Sequence, residues 1–336
     1  MTSTTRPHLA RWLSPLRYPG GKARMAGALA EVFQSQFGLL DVEVWIEPFA
    51  GGAGAGLHLL DRGVVDEVWL TERNPALAAF WRTVTTNEDE FAARVRACQP
   101  DMDTWHAARE LVAAQEGGTQ IADLDLALAA LVINRCSRSG MVNPRVGPIG
   151  GKHQNGPWHL RSRWNSAGLA DRITLIGRLG NRIRVAEGDG IERIAELNGT
   201  VGIEDELVLF VDPPYLVQGN KLYADGMSFD DHKNLAHALT NCAARWLLTY
   251  DSDERILGLY PGQRVLAYEI AYTANRRRVD QEYAVLSDNL AVRHDQTLLP
   301  TGASRWAQHG PSPHDFTDAA EQTQPAGTTE SCYSPS

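Results

Sequence analysis

Hydrophobic runs along the chain predict a set of buried strands, and the clearest of them lies at Leu207–Val211. Its five consecutive apolar residues predict a strand covered on both faces, as in the middle of a parallel sheet. Asp212-Pro213-Pro214-Tyr215 follows directly, and the two prolines must end the strand. We therefore expect a carboxylate and an aromatic ring at the carboxyl edge of a sheet, where open α/β folds bind their ligands. Further strands are predicted at residues 42–46, 67–71, 182–187, 245–250, 264–272 and 282–287.

The alternation of strands and helices stops over residues 84–180. Helical periodicity predicts three helices there, at residues 88–98, 104–115 and 124–134. Residues 143–158 are rich in glycine, proline and polar side chains, which predicts a projecting hairpin or loop. Beyond the strand at Leu207–Val211, Ser228 and Asp231 predict the capped start of a helix. We expect His232 to lie on the surface of that helix.

The expected organisation is an α/β catalytic domain interrupted by a mainly helical domain. The catalytic domain consists of residues 15–83 and 181–290, and the inserted domain of residues 84–180. Residues 1–14 are expected to form a flexible arm. Pro, Gly, Ser, Thr and Gln dominate residues 291–336, which predicts a disordered tail.

The composition is that of a soluble globular protein. Of the 336 residues, 43% are hydrophobic and 22% are charged. The longest apolar run, at residues 126–133, is too short to span a bilayer, and the first 14 residues lack the apolar core of a signal peptide. The four cysteines show no metal-ligand spacing. We therefore expect a cytoplasmic protein with reduced thiols, no membrane partner and no metal site.

Charge is unevenly distributed along the chain. The formal net charge is −9, which argues against a polyanionic partner. Residues 134–184, in contrast, contain ten Lys and Arg side chains, and Asp171 is the only acid among them. A solvated face normally mixes both signs, so this stretch favours a surface that binds a polyanion.

A glycine-rich loop is predicted after the first strand. Residues 47–56 read Glu-Pro-Phe-Ala-Gly-Gly-Ala-Gly-Ala-Gly, and glycines allow the backbone to approach a ligand closely. The dinucleotide pattern GxGxxG is not satisfied, because Leu57 occupies the place of the third glycine. Glu72, at the end of the second strand, is placed to accept hydrogen bonds from ribose hydroxyls.

These motifs together resemble those of DNA adenine-N6 methyltransferases of the Dam class. The resemblance covers residues 17–290 and includes Asp-Pro-Pro-Tyr at residues 212–215, the glycine-rich loop at 47–54 and Tyr18-Pro-Gly-Gly-Lys22. It implies a Rossmann-like methyltransferase sheet with an inserted, mainly helical DNA-recognition domain that carries a hairpin. It further implies S-adenosylmethionine as methyl donor and double-stranded DNA as partner. It leaves open a cognate restriction endonuclease and the oligomeric state.

The resemblance also implies roles for individual residues. The catalytic set is Asp212, Pro213, Pro214 and Tyr215. The residues expected to bind S-adenosylmethionine are Tyr18, Lys22, Glu47, Pro48, Phe49, Gly51, Gly52, Gly54, Glu72, Asp189 and Asp212. The residues expected to bind DNA are Arg135, Arg138, Arg145, Lys152, Arg161, Arg163 and Arg277. The chain departs from the class at residues 72–74, which read Glu-Arg-Asn instead of Asp-x-Asn, and beyond residue 142, so no target sequence is predicted.

The expected chemistry is transfer of a methyl group to a weakly nucleophilic exocyclic nitrogen. Asp212 and the Pro213 carbonyl would accept the two amino protons of a flipped-out adenine, and Tyr215 would stack on the base. Three alternatives remain open at this point. They are a nicotinamide oxidoreductase, a methyltransferase for cytosine N4 or RNA, and a DNA-binding protein of the same fold without activity.

Overall fold

The computed structural model describes residues 13–18, 22–36, 44–198, 207–216, 226–272, 278–293, 297–299 and 303–311. Its centre is a mixed α/β arrangement around one sheet of eight strands in the order β3-β2-β1-β4-β5-β7-β6-β8. The strands are β1 (Val44–Glu47), β2 (Glu67–Glu72), β3 (Ile183–Glu187), β4 (Leu207–Val211), β5 (Arg245–Asp251), β6 (Arg264–Tyr272), β7 (Arg278–Leu286) and β8 (Ser304–Gln308).

The first five strands of the sheet are parallel, and the last three pair antiparallel. The order 3-2-1-4-5 is that of doubly wound α/β folds and reverses direction between β1 and β4. β7 lies antiparallel between β5 and β6. Loops that leave the carboxyl ends of β1 and β4 therefore diverge and open a crevice at the edge of the sheet.

Strand β4 is buried on both faces, as its apolar run predicts. Val208 and Phe210 contribute to the hydrophobic core on one side of the sheet. Leu207, Leu209 and Val211 contribute to the core on the other side, because successive strand residues point to opposite faces. The sheet is thus the middle layer of three.

Ten α-helices lie within the described residues. They are α1 (Ala26–Gln34), α2 (Gly54–Asp61), α3 (Pro75–Thr86), α4 (Glu88–Ala97), α5 (Met102–Glu116), α6 (Asp123–Cys136), α7 (Ser166–Gly177), α8 (Gly190–Leu197), α9 (Phe229–Thr240) and α10 (Glu254–Leu259). Helices α1 to α7 share the core on one side of the sheet. Helices α8, α9 and α10 share the core on the other side.

The helices between β2 and β3 do not have a separate hydrophobic core, in contrast to the expected inserted domain. Helix α3 contacts β2 and β3 and also packs against α6 and α7. Its buried residues, among them Phe80 and Trp81, join the sheet residue Val68 and the α6 residue Leu131 in one continuous cluster. The insertion of helices after β2 is therefore a layer of the same folded unit.

Of the two alternatives expected for residues 143–158, a hairpin or a loop, the structure has the loop, because no named strand lies in this segment. It is a series of turns, tied to the end of α6 by a single bridge between Ser137 and Pro148. Proline cannot donate to a strand ladder, and Gly150 and Gly151 have φ values of +83° and +77°. Both features interrupt an extended ladder.

The expectation of a wholly disordered tail after residue 290 is also wrong. Strand β8 pairs antiparallel with β6 and forms the edge of the sheet, with a register shift between Val265 and Leu266. Trp306 of this strand packs against the core. Of the predicted arm at residues 1–14, residues 1–12 lie outside the described residues, as does Arg277, while Leu13 packs against the core. Among the described helices, none has the length and apolar character needed to cross a membrane.

Helix α9 begins with the capping box that the sequence predicts. The Ser228 hydroxyl accepts from Asp231 N at 3.1 Å, and the Asp231 carboxylate accepts from Ser228 N at 2.8 Å. His232, expected on the surface, is instead fully buried, with its Nδ1 2.7 Å from the Tyr250 hydroxyl. The buried hydroxyl on the neighbouring strand offsets the cost of burying the imidazole.

Candidate active site

A cavity of about 290 Å³ lies at the carboxyl edge of the sheet, where the strand order reverses. Residues that follow β1, β2, β3 and β4 line it. The residues predicted to bind a methyl donor all lie on its wall: Tyr18, Lys22, Glu47, Pro48, Phe49, Gly51, Gly52, Gly54, Glu72, Asp189 and Asp212. Of the remaining predicted catalytic residues, Pro214 lines the cavity, whereas Pro213 and Tyr215, its neighbours in the chain, are not lining residues.

Two glycines in the loop after β1 are required by the close approach of Tyr18. Gly51 has a φ of +45°, and a Cβ there would lie 2.8 Å from the Tyr18 ring. A Cβ on Gly52 would lie 3.0 Å from the Cβ of Tyr18. Ala53, with a φ of +46°, begins α2 in a left-handed conformation that costs a non-glycine residue free energy. The loop is therefore shaped by packing on Tyr18 and by local strain.

The carboxylate of Glu47 is hydrogen-bonded to the backbone at the start of α2 and to a tryptophan of β1. Its Oε1 accepts hydrogen bonds from Gly56 N at 2.7 Å and from Trp45 Nε1 at 3.0 Å. A Cβ on Gly56 would lie 2.8 Å from the same oxygen, so only glycine fits. Burial raises the pKa of Glu47 to about 7, although the two hydrogen bonds oppose the shift.

Glu72 is held by backbone amides at the end of β2. Its Oε2 accepts from Gly51 N at 2.9 Å, and its Oε1 accepts from Asn74 N at 2.8 Å. Burial raises the pKa of this carboxyl, and the backbone hydrogen bonds partly counteract it. Each carboxylate oxygen can accept more than one hydrogen bond, so Glu72 keeps acceptor capacity toward the cavity.

Asp189 caps the amino terminus of α8. Its Oδ1 accepts from Ile191 N at 2.8 Å, as expected of an aspartate at that position. Asn74 plays the same part for α3 and in addition donates to Val142 O at 3.0 Å. Both caps lie on the cavity wall, so the loops after β2 and β3 are fixed by the helices they start.

The wall of the cavity is acidic. Six carboxylates line it, namely Glu47, Glu72, Glu116, Asp189, Asp212 and Asp231. The only basic side chains on the wall, as far as the structure describes the chain, are Lys22 and Arg73. Such a wall favours a ligand with positive charge over an anionic one.

Asp212 stands where β4 ends, and its Oδ1 is fixed from two sides. Lys22 Nζ donates to this oxygen at 2.8 Å, and the Thr249 hydroxyl donates to it at 2.7 Å. Within the described residues, Oδ2 makes no hydrogen bond, and a quarter of the side chain is exposed. One carboxylate oxygen is thus held by the protein while the other is left for a ligand.

Lys22 is almost fully buried and stands between two carboxylates. Its Nζ also donates to the Tyr215 hydroxyl at 2.6 Å and lies 3.9 Å from Glu282 Oε2. Burial acts to lower the pKa of Lys22, but Asp212 and Glu282 outweigh it and raise the pKa above its usual value. Lys22 is therefore a cation at neutral pH.

The hydroxyl of Tyr215 is part of the same network. It accepts from Lys22 and donates to Glu282 Oε2 at 3.0 Å, and the Tyr268 hydroxyl donates to that oxygen at 2.6 Å. Burial, together with Asp212 and Glu282, raises the pKa of Tyr215 well above its usual value. Tyr215 remains protonated, as its bond to Glu282 requires.

Thr249 and Glu282 are site residues that the sequence does not single out. Thr249 lies inside β5 and is fully buried, and Glu282 lies in β7 and is 1% exposed. The one available signal is a charged residue at the start of the apolar run 283–286. That pattern is also typical of a strand that begins at the surface.

The basic residues predicted to bind DNA lie on the loops and helix ends near α6 and α7. Arg138, Arg145, Lys152, Arg161 and Arg163 are exposed. Arg135 is partly buried, and its Nε donates to Arg163 O at 2.9 Å.

Comparisons with known proteins add little to this description. No protein-family model matches the chain, and no curated protein is significantly similar to it. Among solved structures, the chain is similar to protein LPL1258 of Legionella pneumophila str. Philadelphia 1, of family DUF519. The TM-score is 0.35 at 10% identity, over 87% of this chain and 98% of that chain. A likeness this weak carries no argument about activity.

Proposed function

We propose that this protein transfers a methyl group from S-adenosylmethionine to an exocyclic amine of a nucleobase, with adenine N6 in DNA as the substrate. The observation that carries the proposal is Asp212, which has one oxygen fixed and the other open to an acid-lined cavity. The Asp-Pro-Pro-Tyr sequence and the antiparallel β7 next to β5 fit the resemblance to the Dam class.

The cavity residues suit S-adenosylmethionine. This molecule supplies an electrophilic methyl group on a positively charged sulfonium, and its amino acid part adds an ammonium group. The carboxylates of Asp189 and Asp212 would provide compensating charge at the cavity wall. Glu72 would accept from the ribose hydroxyls, and Phe49 and Ile191 provide apolar surface for the adenine.

A nicotinamide dinucleotide fits the same cavity poorly. Its pyrophosphate is anionic and binds to free backbone amides at a helix amino terminus. Here the amide of Gly56, in the first turn of α2, already donates to Glu47, and the amide of Gly51 donates to Glu72. Two carboxylates therefore take amides that a pyrophosphate needs.

Asp212 has the geometry of a hydrogen-bond acceptor for an amino group. Lys22 and Thr249 hold Oδ1, so the carboxylate cannot rotate freely, and Oδ2 is available to accept one N–H of the target amine. The Pro213 carbonyl would accept the other N–H. Pulling on both protons concentrates the lone pair on nitrogen, and the gain comes from positioning and electrostatics.

Tyr215 is held in place by contacts to its hydroxyl and to its ring. Its hydroxyl is bound by Lys22 and Glu282, and the Lys22 ammonium lies 4.8 Å from the centre of its ring. Because the ring is anchored at its hydroxyl end, it would offer a preorganised surface to a flipped base at little entropic cost.

The experiment that tests this proposal has two parts. Isothermal calorimetry with S-adenosylmethionine and with NAD measures which molecule the protein binds. Incubation with radiolabelled S-adenosylmethionine and DNA or RNA, followed by nucleoside analysis, measures which base is modified. We expect binding of S-adenosylmethionine and N6-methyldeoxyadenosine. N4-methylcytosine, or label in RNA alone, would favour the alternative substrates, and NAD binding would contradict the proposal.

A further inference from the structure

Arg17 is brought next to the end of α6 by one buried side chain. Asn134 Oδ1 accepts from Arg17 N at 2.8 Å, and Asn134 Nδ2 donates to Arg17 O at 2.8 Å. Asn134 is fully buried and is followed by Arg135. Arg17 precedes Tyr18 of the cavity wall. The two hydrogen bonds of Asn134 therefore hold Arg17 and Arg135 next to each other beside the cavity.

Two more arginines belong to the same group. Arg135 Nε donates to Arg163 O at 2.9 Å, which places the exposed loop around Arg163 against α6. Arg172 of α7 donates to Ser14 O at 3.2 Å, three residues before Arg17. We call Arg17, Arg135, Arg163 and Arg172 the arginine cluster.

The charge of the arginine cluster is not balanced by the protein. Within the described residues, none of its members forms an ion pair with a carboxylate, and the nearby acid Asp171 is paired with Arg96 at 2.6 Å. Arg17 Nη1 is buried and has no hydrogen-bond partner in that part of the chain. Burial and the neighbouring Arg163 lower the pKa of Arg17 to about 10, and burial and the other cluster members lower that of Arg135 to about 10.

Another partly buried arginine of the fold is paired with carboxylates. Arg82, which is less buried than Arg135, has Asp123 at 2.7 Å and Glu187 at 3.0 Å. Partly buried cations without a counter-charge lower the stability of a folded protein, because burial removes hydration and like charges repel. At neutral pH the cluster arginines still carry their protons, so an anion bound from outside would remove this cost.

We propose that the arginine cluster binds a backbone phosphate of the nucleic acid strand whose base enters the cavity. The inference rests on the proposed function and assigns a specific site to it. Guanidinium groups present planar pairs of donors that match phosphate oxygens. Gly140 packs against Arg17, and the next residues, Met141 and Val142, line the cavity, so phosphate site and cavity are neighbours.

The test compares Arg163→Gln and Arg135→Gln with the control Arg178→Gln. Arg178 is exposed and belongs to the same basic stretch. Arg178 lies two residues before Gly180, and Gly180 packs on Thr85 near the carboxyl end of α3. The amino end of α3, in contrast, lines the cavity. The two ends of α3 are about 18 Å apart for its 12 residues. Arg178→Gln therefore removes the same charge at a distance from the cavity.

Fluorescence anisotropy of a labelled 20-base-pair duplex across a salt series provides the readout. Loss of one phosphate contact is expected to lower the log–log salt slope by about 0.9 and to weaken binding about eightfold at 0.1 M salt. Arg163→Gln and Arg135→Gln should show this effect, and Arg178→Gln should match the wild type. Because Arg163 is exposed, its variant is expected to fold, and a thermal melt verifies this.

Two results would overturn the inference. One is an Arg163→Gln variant with the affinity and salt slope of Arg178→Gln. The other is calorimetric binding of inorganic phosphate that is lost in Arg163→Gln while duplex binding is unchanged, which would assign the site to a free phosphate group. If the wild type methylates DNA and the cluster variants bind normally, only this inference fails. If duplex binding depends on the cluster but no methyl transfer occurs, only the proposed function fails.

Discussion

The buried ammonium of Lys22 is expected to be the main electrostatic support of the site, and Lys22→Met tests this. The substitution removes the positive charge but keeps most of the side-chain volume. It leaves the carboxylates of Asp212 and Glu282, which lie 2.8 Å and 3.9 Å from Nζ, without their common cation. Breaking a buried ion pair in this way typically costs about 3–5 kcal/mol. Since a quarter of the Asp212 side chain is exposed to solvent, we expect the lower end, about 3 kcal/mol.

A second substitution makes this prediction specific to charge. Glu282→Gln alone weakens the attraction for Lys22 and should destabilise the protein by about 1 kcal/mol. In the Lys22→Met background the same change removes a carboxylate that has lost its cation, and it should restore about 1 kcal/mol. The sign of the Glu282→Gln effect is therefore expected to reverse between the two backgrounds.

Urea unfolding of the wild type, the two single variants and the double variant measures these free energies. Lys233→Met is the matched control, because Lys233 pairs with Asp230 at 2.8 Å on the exposed face of α9. An exposed pair of this kind should change the stability by no more than about 0.5 kcal/mol. If Lys22→Met costs no more than Lys233→Met, or if Glu282→Gln has the same effect in both backgrounds, the reasoning about the buried network is refuted.

Three further predictions concern the carboxylates and the tyrosine of the site. Asp212→Ala should lower kcat by at least about 10²-fold while S-adenosylmethionine binding by calorimetry stays within a few-fold, and near wild-type turnover would remove Asp212 from its role. Tyr215→Phe should keep the 2-aminopurine fluorescence signal of base flipping and lose about 1 kcal/mol of stability. Tyr215→Ala should lose that signal, and an unchanged signal in Tyr215→Ala would exclude stacking. The folded-state pKa of Glu47, about 7, lies above its ordinary value of 4.5, so its contribution to stability is complete below pH 4.5 and is lost as the pH rises through 7. Relative to the wild type, Glu47→Gln should therefore gain about 2.5 kcal/mol between pH 5 and pH 8 in urea unfolding, and equal pH profiles would contradict the shifted pKa.

Local patterns predict seven of the eight described strands and the edge of the sheet at which the cavity lies. The apolar run of β4 and the prolines after it determine where the strand ends, and both are readable within nine residues, 207–215. The Ser228 capping box is equally local. Such features depend on neighbours in the chain, so they can be recognised without knowledge of the fold.

The hydrogen-bond network of the site could not be predicted in this way. Lys22 and Asp212 are 190 positions apart in the chain, and Tyr215 and Glu282 are 67 apart. The order of the strands brings them together, and no periodicity in the sequence records that order. Strand β8, with the polar sequence Ser-Arg-Trp-Ala-Gln, likewise has no apolar pattern that predicts a strand. It is formed by backbone pairing with β6, and its Trp306 is only partly buried against the core.

The shared core of the helical layer was missed for a related reason. Amphipathic periodicity shows that a helix has an apolar face, but it does not show which neighbour covers that face. Helix α3 is buried on several sides, against both the sheet and α6, and thereby fuses the inserted helices with the sheet. The change from alternating strands to helices at residue 84 therefore marks an insertion in the chain without a boundary in the core.

The central claim is that this cavity positions an exocyclic amine for methyl transfer. The most direct measurement is mass spectrometry of nucleosides from duplex DNA incubated with S-adenosylmethionine and either the wild-type protein or Asp212→Ala. The proposed function predicts N6-methyldeoxyadenosine with the wild type and none above background with the variant. Absence of any methylated nucleoside with a wild-type protein that binds both S-adenosylmethionine and DNA, or equal methylation by the two proteins, would contradict it.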